Sequence, residues 1–156
     1  RYTLDNDPMQ KVTVAEEIEA LKLYLDIEKV RFDERLTLNF DVAAEAGNAL
    51  MPSLLLQPLV ENAIKYAIAQ AIQGGSITVR AQVEGDVLTL VVADDGPGID
   101  LRQDIPRNGG GVGLSNCRER LKELYGERQS FQLGATDPHG LTITIRIPLE
   151  YRKDTA

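Results

Sequence analysis

The sequence LLLQPLVENAIKY, which runs from Leu54 to Tyr66, combines a long apolar face with a short row of polar groups. Asn62, Lys65 and Tyr66 lie three and four positions apart, so they share one strip of the predicted helix. That strip offers a neutral oxygen ligand, a positive charge and a flat ring, which together suit a metal-bound nucleotide. The competing interpretation is an amphipathic helix whose polar residues merely face water. The apolar residues recur at helical spacing and predict a core-facing stripe: Leu56, Leu59, Val60, Ala63, Ile64, Ala67 and Ile68.

The bulk composition is that of an ordinary globular domain. The 156 residues, 43% of them hydrophobic and 26% charged, are enough for one domain with its own core. A formal net charge of -7 argues against nucleic acid as the main partner, because phosphate contacts need clustered Lys and Arg. A single cysteine excludes an internal disulfide framework and fits a reducing compartment. No apolar run reaches the length of a membrane span. Since the chain opens on Arg1 rather than Met, we expect membrane attachment only through segments outside it.

The first half of the chain is predicted to hold a helix, a strand and a second helix. Thr13 and Glu16 form a capping-box pattern, which starts the first helix after a polar lead-in. Strict alternation from Arg35 to Val42 predicts a half-buried strand, and the second helix is predicted from Pro52 to about Gln73. The first helix is apolar on two sides, which indicates a position between its own core and another helix or partner chain. Its two stripes are Val14, Ile18, Leu21 and Leu25, and Leu23, Ile27 and Val30.

The second half is predicted to hold four strands and one helix. Strands at 77–83 and 87–93 flank a Gly-containing turn and form a hairpin, and the second strand, apolar on both faces, is expected in the middle of the sheet. A helix from Leu114 to Tyr125 precedes two alternating strands, 131–135 and 141–149. This order predicts an α+β fold, a two-layer sandwich in which helices cover one face of a mixed, mainly antiparallel sheet.

The sequence Asp94-Asp95-Gly96-Pro97-Gly98 follows the predicted central strand. Its glycines let a ligand approach the backbone, while Asp94 leaves a carboxylate at the strand end. A carboxylate accepts a hydrogen bond from an amino group and repels a carbonyl oxygen, so such a site prefers adenine to guanine. The alternative is a Gly-rich turn in which Asp is only a turn former.

A second glycine-rich segment, Gly109 to Leu114, directly precedes the last predicted helix. Its backbone N–H groups can reach phosphate oxygens, and the helix N-terminus adds its positive dipole end. The glycines also suit a hinge for a movable lid, and a merely flexible loop is the alternative. Neither the P-loop pattern nor the G-x-G-x-x-G spacing is present, so those two phosphate sites are disfavoured.

Taken in order, these three segments resemble the ATP-binding catalytic domain of sensor histidine kinases. That family belongs to the gyrase, chaperone, kinase and mismatch-repair ATPase superfamily, whose fold is of the Bergerat type. Residues 56–65 resemble its N box, Asp94 to Gly98 its G1 box and Gly109 to Leu114 its G2 box. The sequence Gln-Pro-Leu-Val-Glu-Asn, together with SNCRERL at 115–121, is similar to sequences of the LytS-like branch. On this resemblance residues 1–12 are a lead-in from an upstream segment, 13–150 the catalytic domain and 151–156 a C-terminal tail.

The resemblance also implies ligands for Mg²⁺ and ATP. Asn62 would give its side-chain oxygen to Mg²⁺, which prefers hard oxygen ligands. Lys65 would neutralise phosphate charge, Tyr66 would line the nucleotide, and Asp94 would hold the adenine amine. For Arg102 and Arg107 we favour solvated surface over contact with the γ-phosphate. The remaining residues implied in ATP binding are Gly96, Gly98, Gly109, Gly111, Gly113 and Leu114.

Two departures limit what the resemblance implies, one at Pro58 and one in the missing phosphoacceptor. Pro58 stands where hydrolysing members of the superfamily carry a glutamate, so efficient hydrolysis by the chain alone is not expected. Glu61 could orient a water, but we favour a supporting, structural role beside Asn62. His139, the only histidine, lies in a Pro-Gly turn and is interpreted as exposed turn surface, so the phosphoacceptor is expected upstream of Arg1. Cys117 lies on an apolar helix stripe and is interpreted as a core residue.

The resemblance therefore implies the catalytic domain of a two-component sensor histidine kinase. It would deliver the γ-phosphate of Mg-ATP to a histidine on an upstream dimerisation domain, and a response regulator would receive it next. The full-length protein is expected to be a homodimer, with this domain on the cytoplasmic side of an inner-membrane sensor. Two alternatives stay open at this point: an anti-sigma-type switch that phosphorylates a serine, and a hydrolysing ATPase gate.

Overall fold

Three helices and seven strands make up the regular structure in the described part of the chain. The computed structural model describes residues 10–32, 36–65, 75–96, 109–135 and 140–151. Two short 3₁₀ turns, Ala44–Ala46 and Gly126–Arg128, lie between the elements. In chain order the elements are β1 (Lys11–Thr13), α1 (Val14–Phe32), β2 (Leu36–Val42), β3 (Leu50–Pro52), α2 (Leu56–Ala63), β4 (Gly75–Glu84), β5 (Val87–Asp94), α3 (Gly109–Tyr125), β6 (Ser130–Ala135) and β7 (Leu141–Pro148).

The main sheet has the strand order β2-β4-β5-β7-β6. Only the β2–β4 pair is parallel, and the other three pairs are antiparallel. The predicted hairpin is confirmed as β4 and β5, with Gly85 at a φ of 62° in its turn, where glycine carries no Cβ penalty. The central place predicted for the second hairpin strand is also confirmed. The α+β sandwich with a mixed, mainly antiparallel sheet is therefore the observed fold.

One face of the sheet supplies a core that the helices complete. Alternate residues of β4, β5 and β7 are buried, and they join buried residues of all three helices in a single hydrophobic cluster. Every described member of the predicted α2 stripe, from Leu56 to Ile64, is buried. Cys117 also lies in this cluster, as predicted. The core therefore fixes α2 and α3 on the same side of the sheet.

Helix α1 begins with the capping box that the sequence predicted. The Thr13 N–H donates to Oε1 of Glu16 at 2.9 Å, and the Glu16 N–H donates to Oγ1 of Thr13 at 3.1 Å. The first apolar stripe, Val14 to Leu25, is buried. On the second stripe Leu23 is 65% exposed and Ile27 68% exposed, and the side chain of Val30 lies outside the described set. The described part of α1 is thus apolar on both a buried and an exposed side.

The prediction that Pro52 starts the second helix was wrong. Pro52 ends β3, which pairs antiparallel with β1, and the helix begins at Leu56. Lys11, placed in the polar lead-in, belongs to β1 and faces Pro52 in this small sheet. Proline is tolerated at the end of such a short edge strand, where its missing N–H removes no ladder bond from the sheet interior. The predicted helix end near Gln73 lies outside the described residues.

The predicted start of the last helix at Leu114 was also wrong. Helix α3 begins at Gly109, so the glycine-rich segment forms its first turns instead of a loop before it. Glycine permits helical backbone angles, and packing of the buried Leu114 and Cys117 holds the helix to which these turns are joined. The predicted end at Tyr125 is confirmed, with Gly126 at a φ of 62° as the terminator. In the described residues, none of the helices combines the length and the apolar character needed to cross a membrane.

Candidate functional site

Asn62 is the polar residue of α2 that the core encloses. It is 6% exposed and is the second-last residue of the helix. Within the described part of the chain, neither Oδ1 nor Nδ2 of this side chain has a hydrogen-bond partner. A buried amide without partners costs free energy, so such groups usually bind something. A side-chain oxygen here suits a hard cation such as Mg²⁺, which binds few protein oxygens and keeps several waters.

The residues flanking Asn62 face a different environment. Lys65 is exposed, and with Ile64 it continues α2 in a π-helical turn, a geometry that is frequent at functional sites. Glu61 is exposed and accepts a hydrogen bond from Nε2 of Gln57 at 3.3 Å, one helical turn away. This pair on the helix surface fits the structural role favoured for Glu61. Pro58 lies in the first turn of α2, where proline is tolerated.

Asp94 ends the central strand β5 and is 4% exposed. Its Oδ1 accepts the Gly96 N–H at 2.9 Å and the Leu141 N–H at 3.3 Å. The first bond shapes the turn that begins the glycine-containing segment, and the second ties that turn to the start of β7. Two backbone donors therefore fix the orientation of this carboxylate before any ligand binds.

Two residues that the sequence did not single out hold this turn in place. Asp95 binds Ser76 through both carboxylate oxygens: the Ser76 N–H donates to Oδ1 at 2.8 Å and Oγ donates to Oδ2 at 3.2 Å. Gly140 lies against the backbone of Asp94, with a φ of 130°. A Cβ on Gly140 would collide with the Asp94 carbonyl oxygen and would lie 2.8 Å from its carbonyl carbon. The sequence signal for Gly140 was the Pro-His-Gly turn, which was interpreted only as a turn.

The glycine-rich segment lies at the N-terminus of α3. Gly109, Gly111 and Gly113 are all helical, so backbone N–H groups at this end lack intrahelical partners, as at any helix start. Such a terminus favours negative charge. Leu114, which was predicted among the ATP-binding residues, is buried in the core.

The three elements that carry the predicted site residues are neighbours in the fold. Helix α2, with Asn62, packs against β5, which ends in Asp94, and against α3, which begins with the glycines. An amide, a fixed carboxylate and a helix N-terminus thus belong to neighbouring elements. Five residues that the sequence analysis considered for the site lie outside the described residues: Tyr66, Gly98, Arg102, Arg107 and His139.

The Cys117 thiol and the Tyr125 hydroxyl, both buried on α3, have raised pKa values. Burial raises the pKa of the Cys117 thiol from 9.0 to about 11, with the positive charge of Arg120 acting against this shift and the charge of Glu17 adding to it. Burial likewise raises the pKa of Tyr125 to about 12, and Glu150 adds to that shift. Both groups are therefore neutral near pH 7, and Cys117 is an inert thiol there.

Comparison with known proteins gives matches over nearly the whole chain. Residues 47–151 match the family described as histidine kinase-, DNA gyrase B-, and HSP90-like ATPase, and residues 1–36 match a family described as histidine kinase. The chain is similar to the sensor histidine kinase YesM of Bacillus subtilis, with 36% identity over 137 residues, 88% of this chain and 24% of YesM. It is 32% identical over 157 residues to the sensor protein LytS of Staphylococcus haemolyticus, covering 95% of this chain and 26% of LytS. The chain thus spans about a quarter of the length of these relatives.

Solved structures agree with the fold. The catalytic domain of the histidine kinase ThkA superposes with a TM-score of 0.69 at 19% identity, covering 89% of this chain and 94% of that domain. ThkA has also been solved in complex with the response regulator protein TrrA, with a TM-score of 0.66 at 17% identity, covering 90% of this chain and 42% of that one. The family match and the sequence relatives together show that this chain belongs to the histidine kinase-, DNA gyrase B- and HSP90-like ATPase family, on its LytS-like sensor kinase branch.

Proposed function

We propose that the chain binds Mg-ATP where α2, the end of β5 and the start of α3 meet. In this proposal it is the catalytic domain of a two-component sensor histidine kinase. It presents the γ-phosphate to a histidine on an upstream dimerisation domain that these 156 residues do not include. Catalysis then rests on positioning and on neutralising charge, because phosphoryl transfer needs little covalent chemistry from the protein.

The observation that carries this proposal is the buried amide of Asn62. A polar side chain without a partner in the described residues, in a helix that packs against the Asp94 strand, fits a group kept for a ligand. The Mg²⁺ ion, when bound, supplies charge stabilisation at the phosphates. In the proposal, Asn62 offers it an oxygen and Lys65 contributes positive charge. Asp94 accepts a hydrogen bond from the adenine amine, and Tyr66 and Gly98 provide further contacts with the nucleotide.

The proposed partners follow from the same domain type. The solved ThkA complex supports a response regulator as the next phosphoryl acceptor, and the match of residues 1–36 supports an upstream histidine-containing segment. We further propose that the full-length protein is a homodimer and that this domain lies on the cytoplasmic side of an inner-membrane sensor.

Transfer of labelled phosphate tests the proposal against its alternatives. The chain is mixed with Mg-ATP and a separately prepared domain that carries the upstream histidine. We expect that domain to become labelled, and the label to be lost in acid, because phosphohistidine is acid-labile. Acid-stable label on a serine would instead support the anti-sigma-type switch. Steady ATP hydrolysis without an acceptor would support the ATPase gate, which Pro58 argues against.

Calorimetry with the chain alone tests the site itself. Asp94→Asn keeps an oxygen for the Gly96 and Leu141 N–H groups but removes the negative charge, so we expect the fold to survive. A hydrogen bond to a charged group contributes about 1.5–3 kcal/mol, so Mg-ATP affinity should fall at least about tenfold. Asp86→Asn, in the exposed β4–β5 turn, is the matched control. Equal heats of Mg-ATP binding for Asp94→Asn and the unaltered chain would contradict the assignment of Asp94.

A further inference from the structure

Glu17 is a charged residue on the buried stripe of α1. It is 4% exposed, next to the buried Ile18. Its carboxylate crosses to the segment before α2: Oε1 accepts the Leu54 N–H at 2.9 Å and Oε2 accepts the Leu56 N–H at 3.1 Å. Both oxygens are therefore bound to backbone groups 37 and 39 positions further along the chain.

These bonds make Glu17 the cap of the Asn62 helix. The residue before α2, Leu55, provides no side-chain cap of its own. The first N–H groups of a helix have no intrahelical partner, and negative charge is favourable at that end. Because the Leu56 N–H belongs to the first residue of α2, the position of α2 depends on a side chain of α1.

Arg120 binds carbonyl groups of the same segment. From α3, its Nη2 donates to the Ser53 carbonyl at 2.6 Å and its Nη1 donates to the Leu54 carbonyl at 3.4 Å. The Cys117 thiol donates to the Leu55 carbonyl at 3.6 Å, one helical turn away. Glu17 thus binds N–H groups of the segment while α3 binds its carbonyls. Glu17, Arg120 and residues 53–56 are called the clamp below.

The backbone of the clamp is strained in a way that these bonds explain. Leu54 has a φ of 58°, in the left-handed region that residues other than glycine rarely adopt. Such a conformation costs roughly 1–2 kcal/mol and persists only where the surroundings hold it. Here the Leu54 N–H is bound by Glu17 and its carbonyl by Arg120. The segment is thus fixed jointly by α1 and α3.

We propose that Glu17 and Arg120 are positioning residues that set Asn62 relative to the glycine-bearing start of α3. The clamp joins α1, which lies within the match to the histidine kinase family, to the two helices of the proposed nucleotide site. A displacement of α1 is transmitted through Glu17 to the N-terminus of α2 and so to the metal-binding amide. The expected effect on Mg²⁺ binding rests on the proposed function, whereas the mechanical coupling of α1 to α2 does not.

Nucleotide binding by Glu17→Gln gives the first readout. Glutamine offers one oxygen instead of two, so one of the two backbone N–H groups loses its acceptor. We expect affinity for Mg-ATP to fall about tenfold, within the usual range of coupling between sites. Affinity for ATP in EDTA, which depends on the Asp94 end of the site, should change less than about twofold. The matched control is Glu19→Gln, an exposed carboxylate on the same helix, which should change neither value.

Arg120→Lys is the second variant, and it tests the proposal if Glu17→Gln does not fold. Lysine keeps the charge but cannot bind two carbonyls with one planar fork. The same selective loss of Mg-ATP affinity is expected, with the exposed Arg128→Lys as control. An equal loss with and without Mg²⁺ in either folded variant would show a general defect and overturn the proposal. Unchanged affinity in both folded variants would overturn it too.

Amide hydrogen exchange of the nucleotide-free chain separates this inference from the proposed function. We expect Glu17→Gln to speed exchange across Leu56–Ala63 and at Gly113–Cys117, the first amides of α3 with helical hydrogen bonds, beyond any change in Glu19→Gln. Faster exchange at Leu54 and Leu56 alone would overturn the coupling, whatever the nucleotide results. If the unaltered chain bound no nucleotide while exchange spread through both helices, the proposed function would fail and the coupling would stand.

Discussion

At the scale of single residues, Asn62 is where the proposed site sets ligand binding against the stability of the fold. Its buried amide has no partner in the described part of the chain, and such a group costs roughly 1–3 kcal/mol. An apolar side chain at this position would make the nucleotide-free fold more stable. A ligand that uses this amide would explain why it is retained, because functional sites are commonly less stable than the scaffold around them.

Asn62→Ala should therefore weaken binding without weakening the nucleotide-free fold. We expect Mg-ATP affinity to fall by at least about tenfold, while the free energy of unfolding stays within about 1 kcal/mol or rises. Calorimetry and urea unfolding measure the two quantities. Asn39→Ala, an exposed amide on β2, is the matched control and should change neither. A large loss of stability with unchanged binding would assign Asn62 to the core.

Cys117 gives a residue-scale prediction in alkaline solution. Its pKa is raised by burial from 9.0 to about 11, so the folded chain keeps a proton that the unfolded chain loses. The stability that this thiol contributes is complete below its ordinary pKa and is lost as the pH rises towards the folded value. Between about pH 8 and pH 10 the free energy of unfolding should fall by about 1 kcal/mol on account of this thiol.

Urea unfolding at the two pH values measures this loss, and Cys117→Ala should remove most of it. Tyr125 loses its contribution mainly above about pH 10, as the pH rises from its ordinary pKa of 10.0 towards its raised pKa of about 12. Iodoacetamide should label the folded chain slowly at pH 8, because only the thiolate is nucleophilic. Fast labelling of the folded chain would mean that the thiol is accessible and its pKa ordinary.

At the scale of elements, alternation and turn chemistry predicted most of the fold. The β4–β5 hairpin followed from alternation on both sides of Gly85, and its register places Ser76 opposite Asp95. The Asp95–Ser76 contact could therefore have been predicted by extending that register one residue beyond the end of β5. Apolar spacing also placed the buried stripes of α1 and α2 correctly. These features depend on local periodicity, which a sequence displays directly.

Other elements depend on contacts between distant positions, and those were missed. Strand β3 exists because β1 pairs with it, and three residues carry too little alternation to predict a strand. Helix α2 starts at Leu56 instead of the predicted Pro52 because its cap comes from Glu17, 39 positions earlier. One local signal was available: Glu17 is a charged residue on the otherwise apolar Val14–Leu25 stripe. A charge in that place indicates a buried partner.

Gly140 links two elements of the site, and its replacement tests that link. A Cβ there would press on the backbone of Asp94 and would lie 2.9 Å from Cα of Asp95. Gly140→Ala should therefore displace the end of β5 from the start of β7. We expect a loss of about 2–4 kcal/mol in the free energy of unfolding, together with weaker ATP binding.

Gly85→Ala is the matched control for that prediction. Gly85 also has a positive φ, of 62°, but no heavy atom lies within 4 Å of its added Cβ. Alanine there adds backbone strain of roughly 1–2 kcal/mol without a collision, far from the site. Nucleotide affinity should stay unchanged in this control. Equal effects of both replacements on ATP affinity would show that the contact between Gly140 and Asp94 does not position the site.

At the scale of the whole molecule, the elements of the site share one core. Buried residues of α2, β5 and α3 belong to a single hydrophobic cluster, so these elements should unfold together. A ligand that binds the folded chain then stabilises all of them at once, by mass action. The exposed Leu23 and Ile27 lie outside this cluster, on the second side of α1. Replacing Leu23 and Ile27 with polar residues should leave the stabilisation of the folded chain by a bound ligand unchanged.

The last prediction concerns this linkage between nucleotide and global stability. At Mg-ATP concentrations about 100 times the dissociation constant, the free energy of unfolding should rise by about 2.7 kcal/mol. Tyrosine fluorescence and far-UV circular dichroism should report the same shift of the urea midpoint, since one core unfolds. EDTA should remove most of the shift, because Asn62 then has no cation to bind, and GTP should give less because Asp94 repels its carbonyl oxygen. A midpoint that Mg-ATP leaves unchanged would contradict a nucleotide site in this chain.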